Sequence, residues 1–164
     1  MNNFPVKVDG KEYWVSRSVA VAVTIFTHNE KGELCVLANK RGKGLPNKVG
    51  LWNVISGYID YNETLLQACV REVKEETGVD ISNIKLYHMK IEDDPSRENQ
   101  VILFRYIGYL PHGYRAELTD KYAEPNEVDE IKWIPITKLN DYQWTSENHR
   151  NLIKDYSEII CYVS

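Results

Sequence analysis

The chain has 164 residues, 43% hydrophobic and 27% charged, the composition of a single globular domain and not of a disordered or fibrous chain. Its 20 Lys and Arg against 24 Asp and Glu leave a net charge of −4, which argues against a broad basic face holding duplex nucleic acid through counterion release. Cys35, Cys69 and Cys161 are far apart and form no C-x-x-C, so neither a disulfide framework nor a zinc site is expected and a reducing cytoplasm fits best.

Met1 to Val15 contains no continuous apolar run and reads as mature protein without a targeting signal. Within it, Val6 to Val8 and Tyr13 to Val15 flank Asp9-Gly10, a dipeptide suited to the positive φ angles of a type I′ turn. A hairpin over residues 1–16 is expected, lying over a larger sheet. Val19 to Phe26 is β-branched and apolar on both faces, as in a central strand covered on both sides. It is well short of the roughly 20 residues that cross a bilayer. A strand over Leu34 to Ala38 leads into the basic turn Lys40-Arg41-Gly42-Lys43-Gly44, and another strand is expected around Leu51 to Ile55. Leu66, Cys69, Val70 and Val73 then recur with helical spacing, and Gly78 stands where a left-handed C-terminal cap belongs. Strands over Ile84 to Ile91, Val101 to Tyr109 and Glu130 to Ile134 precede a last helix over 146–161, with Leu152, Ile153, Tyr156 and Ile160 on one face. Strands interrupted by helices on both sides give an α/β (α+β) fold, an α/β/α sandwich with a mixed sheet, as one domain over residues 1–164.

The most informative segment runs from Gly57 through Glu63 to Arg71-Glu72-Val73-Lys74-Glu75-Glu76-Thr77-Gly78-Val79. At about 100° per residue, Glu72, Glu75 and Glu76 fall on one helical face. The stripe of Leu66, Cys69, Val70 and Val73 is centred roughly 110° away. About 6 Å apart, each pair of carboxylates repels by about 3 kcal/mol at an effective dielectric near 20. Arg71 and Lys74 screen part of that charge, and oxygen donors without His or Cys suit a hard divalent cation such as Mg²⁺. An isolated R-E-V-K-E-E would equally be a solvated helix face. Gly57, Glu63 at the helix entrance and Gly78 at its exit supply the strand-loop-helix-loop that favours a site.

The pattern from Gly57 to Val79, G-x5-E-x7-R-E-U-x-E-E-x-G-U with U aliphatic, resembles the Nudix box at every fixed position. Trp52 to Gly57 resembles that family's W-x-x-P-G-G entry, with Ile55-Ser56 in place of Pro-Gly, and Glu130 to Trp133 resembles its closing strand. Membership implies hydrolysis, with Mg²⁺ or Mn²⁺, of a nucleoside diphosphate linked to another group. Carried over by position, it implies Glu72, Glu75, Glu76 and the Gly57 carbonyl as metal ligands and Glu72 also as base. Arg71 would orient a catalytic carboxylate, with Glu63 as its partner or as an outer ligand.

Glu127, with Glu124 in the same loop, is a further ligand or base on this resemblance, or else a solvated acid. Arg41, with Lys40 and Lys43, is a phosphate contact or a solvated basic turn. Tyr58, Tyr61 and Trp144 are candidates to stack on a base or to form core and rim. His88, His112 and His149 show no triad or zinc pattern and receive no role. The expected partner is a nucleotide-derived small molecule, with neither duplex nucleic acid nor membrane, and with a homodimer as a further expectation. The resemblance favours sugar nucleotides or ADP-ribose-type compounds, because Pro95, sixteen residues beyond the box, lies close to where ADP-ribose-cleaving members of the family often carry a proline. The alternatives are a modified nucleoside triphosphate, a dinucleoside polyphosphate, or a catalytically silent nucleotide sensor. The intact glutamate set argues against the sensor, and an isoprenoid diphosphate isomerase would need a reactive cysteine where Cys69 faces the core.

Overall fold

The sheet is built around the chain's most apolar strand. In the computed structural model, which describes residues 4–95, 101–111 and 126–162, β3 (Val19–His28) is buried along nearly its whole length. Val21, Val23 and Ile25 enter one core while Ala22 and Phe26 enter another, because successive strand side chains point to opposite faces. On one edge β3 pairs in parallel with β8 (Ile102–Tyr109) over eight residues. Its other edge is shared: β6 (Ile55–Tyr58) pairs antiparallel with Ala20–Val23, and β4 (Leu34–Arg41) pairs antiparallel with Phe26–His28. β4 and β6 therefore leave β3 at different heights, and the sheet opens between them. β5 (Trp52–Asn53) and β9 (Val128–Pro135) extend the β4 side, and β7 (Leu86–Glu92) closes the edge beyond β8.

A helix covers each face. α1 (Leu65–Thr77) packs Ala68, Cys69 and Val73 against Val21, Val23 and Ile55. α2 (Glu147–Ile160) packs Ile153, Tyr156 and Ile160 against Ala22, Phe26 and Val36. The arrangement is the α/β/α sandwich with a mixed seven-stranded sheet that the strand and helix pattern called for. Among the described residues no helix is long and apolar enough to cross a membrane.

Three local expectations need correction. The hairpin β1 (Phe4–Val8) and β2 (Lys11–Val15) forms around Asp9 and Gly10, both at positive φ, but as a two-stranded sheet of its own. Val8 and Val15 stay exposed, so it does not blanket the larger sheet. The strand expected over Leu51 to Ile55 is two short strands, β5 and β6, because the chain changes partner at Val54, from β4 to β3. On α1 the buried side is turned from the expected stripe: Leu66 is exposed while Leu65 packs on the core and Glu72 is buried. Thr64 fixes the start of that helix by a reciprocal capping box with Gln67.

One buried ion pair ties β7 to β8 beneath the opening. Arg105 donates from Nε to Glu92 Oε1 at 2.8 Å and from Nη2 to Oε2 at 3.2 Å, and Lys90 Nζ lies 3.2 Å from Oε1. Burial works against the Glu92 charge, but the hydrogen bonds and positive charge of Arg105, and then of Lys90, outweigh it and lower the carboxyl to about 2. A carboxylate depressed on folding contributes stability that is present above its unfolded value and is lost as pH falls through its folded value. Glu92→Gln is expected to cost about 3 kcal/mol at neutral pH by leaving a buried guanidinium half-paired. It should also flatten the fall in stability between the ordinary carboxylate range and about pH 2. Urea unfolding at several pH values checks both; a variant as stable as wild type would sink the prediction.

Candidate active site

Where β4 and β6 part, a cleft of about 650 Å³ opens, walled by both strands and α1 and joined by Glu127 and by His149 of α2. It is lined by Arg41, Gly57, Tyr58, Arg71, Glu72, Glu75, Glu76 and Glu127 together. Of the expected site residues, Glu63 sits behind Arg71 and does not line the cleft, and neither do Lys40, Lys43, Tyr61 and Trp144. Glu124 and His112 lie outside the described residues.

Arg71 organises the acidic helix. It grips Glu63 through Nε to Oε2 at 3.1 Å and Nη2 to Oε1 at 2.7 Å, a two-point carboxylate contact. Its Nη1 donates both to Glu72 Oε1 at 2.8 Å and to Glu75 Oε2 at 2.9 Å, and its Nη2 reaches the Tyr58 carbonyl at 2.9 Å. The hydrogen bond that Arg71 donates to Glu63, followed by those to Glu75 and Glu72, pushes its guanidinium further above its already high range. Reciprocally, Arg71 holds the Glu63 carboxyl below the usual range.

Glu72 shows why the helix turns as it does. Its carboxylate is tucked beneath β6, and a Cβ on Gly57 would collide with it. Only glycine lets the strand approach this closely. Burial raises the Glu72 carboxyl above the usual range even though Arg71 opposes the shift. Glu76 is raised well above that range, first by burial and then by the charges of Glu72 and Glu127, against a Ser56 main-chain hydrogen bond and Arg41. Asn39 Nδ2 donates to Glu76 Oε2 at 2.5 Å.

The opposite wall is one continuous backbone unit. A break in register between Lys40 and Arg41 in the β4–β9 pairing re-aims the strand end. Arg41 then donates to the Asn47 carbonyl at 3.2 Å and to Asn47 Oδ1 at 3.3 Å. Gly42 N–H donates to the Glu127 carbonyl at 2.7 Å and Gly44 N–H to the Asn126 carbonyl at 2.6 Å. A Cβ on Gly42 would strike the Asn126 carbonyl, so this contact requires glycine. Arg41 and Glu127 are thus carried into the cleft by a single docked pair of loops.

The aromatic candidates separate. Tyr58 stands half-exposed on the cleft rim. Tyr61 instead meets Tyr13 of the hairpin edge-on at 5.6 Å, and the Trp144 indole donates to the Leu139 carbonyl at 2.8 Å, away from the cleft. Two lining residues have no role in the sequence reading: Asn39 is not singled out there, and His149 is named and assigned none. Asn39 shares a face of β4 with Arg41, a period-two signal that marks it once Arg41 is suspected. His149 also lines the cleft, with Nδ1 2.9 Å from Thr145 Oγ1, whose hydroxyl donates to Asn53 Oδ1 at 3.1 Å. No spacing rule links these three residues.

The donor set fits a hard divalent cation. Five carboxylates line one cleft, those of Asp60, Glu72, Glu75, Glu76 and Glu127, and burial penalises the charges on Glu72 and Glu76, the situation a bound cation relieves. Glu72 and Glu75 turn toward Arg71 and Glu76 toward Asn39, each taking the nearest donor. Accordingly, among the described residues no three acidic, His or Cys side chains converge as a ready-made cage.

A protein-family model described as NUDIX domain matches residues 18–156. NAD-capped RNA hydrolase NudC of Vibrio atlanticus (strain LGP32) is 33% identical over 109 residues, 66% of this chain and 37% of that protein. The chain thus spans little more than a third of that relative's length. Among solved structures, the NUDIX domain of Shewanella oneidensis NrtR complexed with ADP ribose matches with a TM-score of 0.72 at 22% identity, over 89% of this chain and 90% of that one. A C. elegans Ap4A hydrolase matches with a TM-score of 0.64 at 16% identity, over 88% and 98%. At these identities the structural likeness is one of fold.

Proposed function

This chain belongs to the NUDIX family, and on that premise we propose that it is a divalent-metal-dependent hydrolase cutting the diphosphate bond of a nucleoside diphosphate linked to another group. Sugar nucleotides and ADP-ribose-type compounds are the preferred substrates. The observation that carries the reading is the meeting, in one cleft of about 650 Å³, of the carboxylates of α1 with Arg41 and Glu127 on the facing wall. That volume lies within the usual range of small-molecule sites. The NudC relative's name, a hydrolase of NAD-capped RNA, supports a diphosphate-linked nucleotide as the kind of bond cut.

Glu72, Glu75 and Glu76, with Gly57 beside Glu72, would hold the cation. When bound there, such an ion would supply charge to offset the phosphates and to acidify a water. Glu72 takes the water's proton as its oxygen bonds to phosphorus, while the bridging P–O bond breaks and two phosphate monoesters leave. Arg71 fixes the rotamers of Glu72 and Glu75 and is itself fixed by Glu63. Arg41 contacts the phosphates, Tyr58 offers a ring face at the rim, and Glu127 supplies a second acid from the opposite wall.

Chromatography of products from ADP-ribose, UDP-glucose, NAD, a modified nucleoside triphosphate and a dinucleoside polyphosphate, each with Mg²⁺, tests this. The diphosphate-linked compounds should show the highest kcat/KM and yield two monophosphates. Tight binding of one compound without turnover of any would replace the enzyme by a binding module.

A further inference from the structure

Asn39 belongs to no motif in the chain, yet its setting is costly. It is 5% exposed, on β4, and lines the cleft. Its Nδ2 donates to Glu76 Oε2, while its Oδ1 is buried and accepts no hydrogen bond among the described residues. An ionised carboxylate, the form that binds a cation, only accepts, and toward it the amide presents its nitrogen. An acceptor buried in this way, without a donor, destabilises the fold. An apolar side chain of similar size would avoid that cost, so the fold alone gives no reason for asparagine here.

We infer that Asn39 is a positioning residue for Glu76. Its N–H holds Glu76 Oε2 toward β4, so that the carboxylate keeps one orientation and its other oxygen serves the cation. Its Oδ1 is an acceptor for a polar group entering the cleft. The contact reaches Glu76 from the strand that also carries Arg41, thirty-seven residues away in sequence, so the end of α1 and the facing wall are set relative to each other by this bond. The inference rests on the reading of Glu76 as a ligand. Hydrogen-bond partners of ligating groups typically change metal affinity 10–100-fold when removed, whereas a purely structural amide would change stability and leave affinity alone.

Mn²⁺ titration of the full chain, without substrate, followed by electron paramagnetic resonance, separates these outcomes. Asn39→Leu is expected to weaken Mn²⁺ binding by about tenfold or more while Tm holds or rises, because the orphaned acceptor is gone. In a Glu76→Gln background the same substitution should add nothing. Asn39→Ser, too short to reach Glu76, should show the same loss and carries the test if the leucine variant fails to fold. Affinity within about twofold of wild type, a lowered Tm with unchanged affinity, or an equal loss in the Glu76→Gln background overturns the inference. A wild type that binds no Mn²⁺ overturns the ligand reading beneath it and the inference with it, a result distinct from a wild type that binds and an Asn39 variant that binds equally well.

Discussion

Chelation with EDTA is expected to abolish hydrolysis of the best substrate, and added Mg²⁺ or Mn²⁺ to restore it. The reason is the charge balance of the cleft. Glu72, Glu75, Glu76 and Glu127 line it, and a diphosphate brings further negative charge. At about 6 Å each like pair repels by about 3 kcal/mol when the effective dielectric is near 20. Of the arginines that line the cleft, Arg71 is already paired with Glu63, Glu72 and Glu75 and Arg105 with Glu92, which leaves Arg41, bonded to the neutral Asn47, to meet the phosphate charge. The same balance predicts the residue-level counterpart. Glu76→Gln keeps the shape and can still accept from Asn39, but loses the charge a ligand needs, so kcat should fall by about a hundredfold or more. Burial already disfavours the Glu76 charge, so circular dichroism and Tm should show a fold as stable as wild type or more so. Undiminished turnover after thorough chelation would sink the metal mechanism.

Much of the fold was legible because its signals are local. The two-sided apolar run of β3 and the capped periodicity of α1 each declare an element within a dozen residues. The spacing from Gly57 to Val79 likewise brings Arg71, Glu72, Glu75 and Glu76 to one cleft because a helix enforces it. What the sequence left open depends on contacts between distant segments. Whether Leu65 or Leu66 faces the core is decided by how closely β6 approaches, and that approach turns on the missing side chain at Gly57. The division of one edge of β3 between β4 and β6, which creates the cleft, is a choice of pairing partners tens of residues apart. The short 3-10 helix Ile136–Asp141 is too brief to carry a period. Asn39 and His149 acquire their neighbours only from the folded sheet, so no window of sequence would have marked them together.

Glu72→Gln is expected to flatten the acidic limb of the pH profile and to lower kcat by about 10²–10⁴-fold at saturating Mg²⁺, the scale of a lost general base. Glu127→Gln should keep the limb and lose about tenfold or less. Geometry separates the two. Glu72 is 9% exposed, held by Arg71 Nη1 and pressed beneath Gly57, which fixes its carboxylate for proton transfer. Glu127 is exposed and depends on a docked loop pair for its place. Burial raises the Glu72 carboxyl in the metal-free cleft and a bound cation opposes that shift; a base works only when ionised, so the rate should climb with pH as Glu72 loses its proton. A residue that only binds the cation behaves differently, since excess Mg²⁺ recovers much of its lost rate without altering the limb. If Glu127→Gln flattens the limb while excess Mg²⁺ rescues Glu72→Gln, the roles are exchanged: the base then acts from the wall that Gly42 and Gly44 hold in place, and Glu72 is left as a ligand oriented by Arg71.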